Sequence, residues 1–379
     1  MFRLRRTTFR TLLLLGALLA VVYICSDSSD HKTIHLKEEV KKVGCRTKAV
    51  TRHNSSVQSW PKCEKDESAA DRKGFRFLSG LIQNFLYYHH CRHFPMLLDV
   101  PDKCGGADDS AEVFLLLVIK SSPVNYERRE LLRKTWAKER IHNGVWIRRI
   151  FISGTMENGL EKERLNKLLE LEQCEYSDIL QWDFDESFFN LTLKQVLFLE
   201  WMERNCAQAR FMLNGDDDVF ANTDNIVAYL QSLKDNNGSK HLFTGHLMKN
   251  AKPNRSLRSK YFIPFQLYPS KEYPSYCGGG GFLLSVHTAL VIYNMSQSIG
   301  LFPIDDVYMG MCLAKAGLAP DLHIGVRTLT VHIPSSKTDQ HDPCYYKHLL
   351  LVHRFLPRET YVMWQRIHEP GLKCGKSQQ

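Results

Sequence analysis

The sequence predicts an α/β protein built around a mostly parallel sheet, and three observations carry that prediction. Apolar runs of strand length recur along the chain, segments of helical spacing lie between them, and one run leads directly into three consecutive acids. The first run, 113–119, ends at Lys120, Ser121, Ser122 and Pro123, as a buried parallel strand does when its exit loop meets a ligand. A basic helical face follows at 128–136, and a second apolar strand at 146–153. Residues 161–174 set Leu165, Leu168 and Leu169 at helical spacing, 179–182 reads as a short strand, and 193–201 as a helix. The next strand is 211–213, and Thr223 is placed to cap a helix whose apolar stripe is Ile226, Val227, Leu230 and Leu233. Beyond it, Pro253, Pro264, Pro269 and Pro274 mark a loop-rich region suited to forming the wall of a binding site. Ligands of such sheets gather beyond the carboxyl ends of the strands, so a cleft is expected between 120–123 and 216–218.

The stretch 211–220 (FMLNGDDDVF) is the most informative. Carboxylates at i and i+2 of an extended segment point to one side, so Asp216 and Asp218 can share a hard divalent cation while Asp217 faces away. A cation held by two carboxylates keeps positions for water and phosphate oxygens, which implies a nucleotide diphosphate substrate. By itself an acidic triplet is also what a solvated loop carries.

The ends of the chain bound its compartment. Arg3, Arg5, Arg6 and Arg10 precede an apolar run at 12–24, and Ser26, Asp27, Ser28, Ser29 and Asp30 follow it. This polarity reads as a cytoplasmic tail (1–10), an uncleaved type II signal anchor (11–25), a polar lysine-rich stem (26–84) and a folded domain (85–379). A cleaved signal peptide is the alternative, but no small-x-small site precedes Ser26. Of eleven cysteines, Cys25 lies in the anchor. The other ten suit disulfides in an oxidising lumen better than zinc or a catalytic thiol, because none forms a Cys-x-x-Cys pattern. Sequons at Asn54, Asn190, Asn237, Asn254 and Asn294 agree with secretory passage. Net charge is +9, but the arginines of the tail account for part of it and no basic stripe for nucleic acid is present.

Six blocks occur in a fixed order: 91–104 (CRHFPMLLDVPDKC), 127–136 (ERRELLRKTW), 183–194 (DFDESFFNLTLK), 214–220 (NGDDDVF), 273–285 (YPSYCGGGGFLLS) and 303–313 (PIDDVYMGMCL). Together they resemble the β1,3-glycosyltransferase family of Golgi enzymes over about 85–374. The resemblance implies a GT-A fold, a Mn²⁺-dependent UDP-sugar site, inversion at the anomeric carbon and a lumenal catalytic domain. It puts the metal on Asp216 and Asp218, and Asp217 against the ribose or sugar ring of the donor. It makes His353, after the apolar 349–352, the candidate to complete the metal shell, with a structural histidine as the plain alternative.

Inversion needs a base for the acceptor hydroxyl, and the resemblance places it at the acidic pair; we assign Asp306, leaving Asp305 as an N-cap, a supporting carboxylate or part of the sugar pocket. Gly278, Gly279, Gly280 and Gly281 lack the lysine and helix of a phosphate loop. They are expected to let backbone amides and the rings of Tyr273 and Tyr276 close around a sugar, with a flexible turn as the alternative. Lys120 and Ser121, and Arg128, Arg133 and Lys134 on the helix face, are expected near the uracil or diphosphate; pairing of the arginines with Glu127 and Glu130 is the alternative.

Blocks 277–281 and 305–313 resemble the branch that transfers GlcNAc. The expected reaction is therefore β1,3 transfer from UDP-GlcNAc to a terminal galactose or related residue of glycoprotein or glycolipid glycans, as in poly-N-acetyllactosamine or mucin-type core chains. Transfer of galactose from UDP-Gal is the nearest alternative, and an inactive lectin-like or partner-stabilising subunit the alternative of another class. The chain keeps Asp216, Asp218 and Asp306, which argues for activity. It departs from the family at Asn214, where lysine or threonine is common, and at Ser275, where proline is usual, so acceptor preference stays open. Pairing with a second copy or with another transferase is also open.

Overall fold

The structure, a computed structural model, describes residues 63–105, 113–156, 159–328 and 342–374. The proposed tail, anchor and most of the stem, with Cys25, Cys45 and Asn54, lie outside these residues; among the described ones no helix is long and apolar enough to cross a membrane. Two 3-10 turns, Glu67–Asp71 and Phe75–Phe77, lead to helix α1 (Gly80–Tyr88). Then come β1 (Met96–Leu98), β2 (Val113–Lys120), α2 (Tyr126–Lys134), β3 (Arg140–His142), β4 (Val145–Thr155), α3 (Leu160–Tyr176), β5 (Ile179–Asp185), α4 (Leu191–Asn205) and β6 (Phe211–Asp216). The second half adds β7 (Val219–Ala221), α5 (Thr223–Ser232), β8 (Phe243–Met248), β9 (Tyr276–Ser285), α6 (Val286–Ser296) and α7 (Asp305–Lys315). It closes with β10 (Asp321–Leu322), β11 (Val326–Arg327), α8 (Pro343–Tyr346), β12 (Leu351–His353) and α9 (Pro357–Ile367).

Every residue of β2 is buried because β4 and β6 flank it in parallel and helices cover both faces of the sheet. Leu116 and Val118 join the core beneath α4, α6 and α7, whereas Leu115, Leu117 and Ile119 join the core formed with α2, α5 and α9. Burial on two faces is what the unbroken apolar run encodes.

The expectation of a mostly parallel sheet needs correction. Strand order is β1-β5-β4-β2-β6-β9-β8-β10, with β3 beside β4, and only the central β5-β4-β2-β6 block is continuously parallel. β9 pairs antiparallel with both β6 and β8, and β1 antiparallel with β5. The glycine run is thus neither a turn nor a loop but part of a ten-residue strand. Thr223 is not the cap of α5: Asn222 accepts from the Asn225 N–H at 3.2 Å, and the Thr223 hydroxyl instead donates to the Trp136 carbonyl at 2.9 Å.

Two further expectations shift. The folded domain reaches back into the supposed stem, because Ala69, Phe75 and Ile82 are core residues and Cys63 is bridged to Cys91. Disulfides also join Cys104 to Cys206 and Cys344 to Cys374, and Cys174 is bonded as well, but Cys277 and Cys312 are buried free thiols. The bridges fit an oxidising compartment. Asn237 and Asn254 are exposed, whereas the sequon at Asn294 runs into the buried Ser296 at the end of α6.

Beneath β4 the fully buried Asp178 receives Arg133 at 2.9 Å and Arg149 at 2.7 Å, and Arg133 also pairs with Glu172 at 2.9 Å and Glu130 at 2.8 Å. Removing one member strands the others in low dielectric. Asp178→Ala should therefore cost about 3–5 kcal/mol in denaturant unfolding; a loss below about 1 kcal/mol would show that water enters and solvates the two arginines.

Candidate active site

The acids do not converge by strand alternation. Asp216 ends β6, Asp217 and Asp218 form the turn into β7, and that turn rather than a pleat separates their directions. β7 belongs to a second, three-stranded sheet in which β12 runs antiparallel to it, placing His353 opposite Val219. The Phe355 N–H donates to the Asp218 carbonyl at 2.8 Å and fixes that register. As a result His353 Nε2 lies 3.2 Å from Asp218 Oδ1 and 3.9 Å from Asp216 Oδ2.

One ligand atom from each of Asp216, Asp218 and His353 lies within 4.8 Å of the others. The Thr328 carbonyl, 3.1 Å from His353 Nδ1, can only accept, so the proton sits on Nδ1 and Nε2 is free to ligate. Asp218 Oδ1 is buried without a hydrogen bond of good geometry. Two carboxylates, one of them with this orphaned buried oxygen, and one imidazole are a donor set that fits a divalent cation such as Mn²⁺. Burial alone would lower the His353 pKa, but Asp218 and then Asp216 hold it above 6.5; His353 in turn outweighs burial at Asp218 and holds that carboxyl below its ordinary range.

The glycines of β9 make room for neighbouring side chains, while Gly279 stays exposed. A Cβ on Gly280, whose φ is +100°, would stand 2.6 Å from His353 Cγ, and one on Gly279 would meet Asp306 Oδ2 at 3.3 Å. Gly278 faces Thr328 and Met248, and Gly281 faces Leu351. Bare backbone at neighbouring positions therefore carries His353 on one side and Asp306 on the other.

Asp305 and Asp306 open α7, but neither is its cap, which falls at Ile304. The Lys120 ammonium at the end of β2 reaches Asp305 Oδ2 at 2.7 Å and Asp216 Oδ1 at 2.9 Å. Burial opposes that charge, yet the two carboxylates hold Lys120 protonated well above the usual lysine range. Asp306 makes no ion pair with that ammonium; burial and then the Asp305 charge push it up to about 7, against a hydrogen bond from the Val307 N–H at 2.7 Å and the more distant Lys120 charge. Tyr276, beside it, is pushed up to about 12 by burial and by Asp306.

Asp217 turns away from the other two acids and into a cage. It accepts from Ser121 Oγ at 2.7 Å and Asn125 Nδ2 at 2.8 Å, with Arg128 Nη1 at 3.7 Å. Burial raises its pKa, and these donors only partly offset that. Arg128 Nη1 has no hydrogen-bond partner and stays a candidate for a donor contact.

Other expected residues fall elsewhere. Arg133 is spent on Asp178, Glu172 and Glu130 and stacks on Tyr176 at 4.0 Å, so it is scaffold and not donor site. Lys134 is exposed and pairs with Glu130. Tyr273 is buried against Tyr268, Phe302 and Tyr276 and backs the wall instead of lining it. Asn214 is buried and donates to Gln195 Oε1 at 2.6 Å, below the acids.

Two structural supports escaped the sequence reading. Arg129 donates to the Ser122 carbonyl at 2.6 Å and to Ser121 Oγ at 3.1 Å while gripping Glu172, which shapes the loop under Asp217. Lys194 joins the Ser121 carbonyl at 3.2 Å to Glu186 at 2.6 Å. Both looked like ordinary surface-helix charges; an arginine next to another arginine in 128–129 was the only visible hint.

A family model described as Galactosyltransferase matches residues 127–322, a span that holds Asp216, Asp218, Asp305 and Asp306 but not Lys120 or His353. The chain is 52% identical over 318 residues to N-acetyllactosaminide beta-1,3-N-acetylglucosaminyltransferase 3 of Homo sapiens, across 84% of this chain and 83% of that one. It is 48% identical over 324 residues to acetylgalactosaminyl-O-glycosyl-glycoprotein beta-1,3-N-acetylglucosaminyltransferase of Homo sapiens, across 85% and 83%. Against UDP-GlcNAc:betaGal beta-1,3-N-acetylglucosaminyltransferase 7 of Mus musculus the identity is 40% over 316 residues, across 83% and 77%.

The His353–Asp218 pair gives a titration that geometry alone dictates. In EDTA-treated protein, the His353 ring protons followed by NMR should titrate above 6.5, and Asp218→Asn should bring the midpoint down. A histidine raised on folding stabilises fully below its unfolded pKa, and that contribution is lost as pH climbs through the raised value. An unchanged midpoint in Asp218→Asn would mean that the two side chains do not pair in solution.

Proposed function

The chain belongs to the galactosyltransferase family, within its β1,3-N-acetylglucosaminyltransferase branch, and from that premise we propose that it transfers GlcNAc from UDP-GlcNAc, with inversion, to the 3-hydroxyl of a terminal galactose. The relatives named for N-acetyllactosaminide, O-glycosyl-glycoprotein and betaGal acceptors favour poly-N-acetyllactosamine or mucin-type core chains as the products. The observation that carries the mechanism is the pair of bare glycines, Gly279 and Gly280, flanked by Asp306 and His353. It sets a metal-capable triad and a weakly acidic carboxyl on two sides of one opening.

In this reading Asp306 takes the proton from the acceptor hydroxyl as that oxygen bonds to the anomeric carbon and the bond to the UDP β-phosphate oxygen breaks, the electron pair leaving with UDP. Asp216, Asp218 and His353 would hold Mn²⁺, which when bound supplies positive charge against the diphosphate. Lys120 neutralises Asp216 and Asp305, so that Asp306 is the carboxylate left free to gain a proton. Arg128 and the loop at Ser121 face the donor, Asp217 being held by that loop, and Tyr276 faces the acceptor. The domain would be of GT-A type, held in the Golgi lumen by the anchor at 11–25; the disulfides and exposed sequons support that compartment.

Incubation with a β-galactoside and UDP-GlcNAc should add a HexNAc mass, and EDTA should abolish it; preferential use of UDP-Gal would move the enzyme to the galactosyl branch. Asp306→Asn should lower kcat by about 10²–10⁴-fold while UDP still binds, whereas Asp218→Ala should lose Mn²⁺-dependent donor binding. Because the base must be ionised, kcat/KM should rise with pH and level off above about 7. A flat profile, or an active Asp306→Asn, would remove Asp306 from the role.

A further inference from the structure

Between β8 and β9 the chain carries Lys249, Lys252, Arg255, Arg258, Lys260 and Lys271 against a single acid, Glu272. Arg255 is consumed by the loop itself, donating to the carbonyls of Ile263 at 2.7 Å, Tyr268 at 2.7 Å and Ser270 at 3.1 Å. The other five are exposed, and none has an ion-pair partner among the described residues. Like charges crowded on one loop repel one another and persist at a cost unless an anion visits them.

Lys260 is the most informative of them. Its ammonium lies 4.8 Å from the Tyr261 ring centroid and 5.5 Å from that of Phe188, and the two rings meet edge to face at 5.4 Å. Tyr261 is 42% exposed, so the shelf that it forms with Phe188 and Lys260 opens to solvent. Flat aromatic rings take the apolar face of a pyranose, and an adjacent ammonium takes an anionic substituent on that sugar.

Position ties this shelf to the site. Phe188 opens the short turn after β5 at the carboxyl edge of the sheet, and Glu186 beside it is linked through Lys194 to the Ser121 loop. At its other end the loop is fastened by the Tyr273 N–H on the Ala251 carbonyl at 2.8 Å, and Tyr273 packs on Tyr276 next to Asp306.

We propose that Phe188, Lys260 and Tyr261 form an acceptor subsite that takes an inner sugar bearing an anionic group, either a sulfate ester or a carboxylate. Lys252, Arg258 and Lys271, exposed on the same connection between β8 and β9, add positive charge that favours the approach of such chains. The inference rests on the transferase reading above and sharpens its substrate class.

The test compares acceptors of equal length and identical terminal galactose, one neutral, one sulfated and one carboxylated on an inner sugar, using the full-length chain in detergent. At low ionic strength kcat/KM for a charged acceptor should exceed the neutral one by about five-fold, the ratio falling toward one with added salt. Lys260→Gln should bring the ratio to about one, and Tyr261→Ala should lower turnover of all three. Preference for the sulfated acceptor alone identifies the group as sulfate; preference for both identifies any anion. A ratio near one in the unaltered enzyme, or one unaffected by Lys260→Gln, overturns the subsite. Saturation-transfer NMR of the sulfated oligosaccharide decides the matter independently of turnover: binding weakened by Lys260→Gln supports the shelf and equal binding overturns it. Absence of product from every acceptor would instead count against the transferase reading.

Discussion

A buried ammonium holds the site together. Asp216, Asp217, Asp218, Asp305 and Asp306 reach one region from β6, its exit turn and the start of α7, and five carboxylates in low dielectric cannot all stay charged without compensation. Lys120 supplies it at the only strand end that touches both groups, since β2 lies beside β6 and its last residue pairs in register with Asp216. Its two short contacts answer Asp216 and Asp305, Asp218 faces His353 and Asp217 faces Ser121, Asn125 and Arg128, which leaves Asp306 without a cation at contact distance. The chemical difference between Asp305 and Asp306, neighbours in sequence, follows from which of them Lys120 reaches.

The same logic extends outward from the sheet. Asp217 is kept apart from the metal-capable triad by Ser121 and Asn125, and Ser121 is held by Arg129, itself locked to Glu172. Asp217 and the loop that holds it are thus secured by partners one layer further back, whereas Asp306 and Arg128 Nη1 are left without such an answer. The ion network around Asp178 is the innermost such layer, and it lets Arg133 of α2 and Arg149 of β4 be buried against an apolar sheet.

Much of this was legible in the residues. The β2 run, the acid triplet and the Asp305, Asp306 pair announce themselves because burial on both faces and paired carboxylates leave local signatures. What stayed hidden depends on partners distant in the chain. Glycines at 278–281 look like a loop until His353 and Leu351 are seen to need the space. Arg133 and Arg128 are indistinguishable as residue types, and only the position of Asp178 and Glu172 shows which one is buried. Cys277 and Cys312 could not be told from disulfide cysteines by counting, because an even total says nothing about geometry. The domain's start was misjudged because 63–84 is polar in composition and contributes only a few buried side chains, Ala69, Phe75 and Ile82 among them.

The pairing of β7 with β12 has a consequence in time as well as space. His353 joins acids that are synthesised far earlier, and the strand that delivers it is the last among the described residues. A nascent polypeptide therefore carries its acidic turn without the facing imidazole until β12 docks on β7, a long-range closure of the kind that is slow to form. A product terminated before 351 would keep the acidic turn of β6–β7 but lack the strand that pairs with it and the imidazole that faces it.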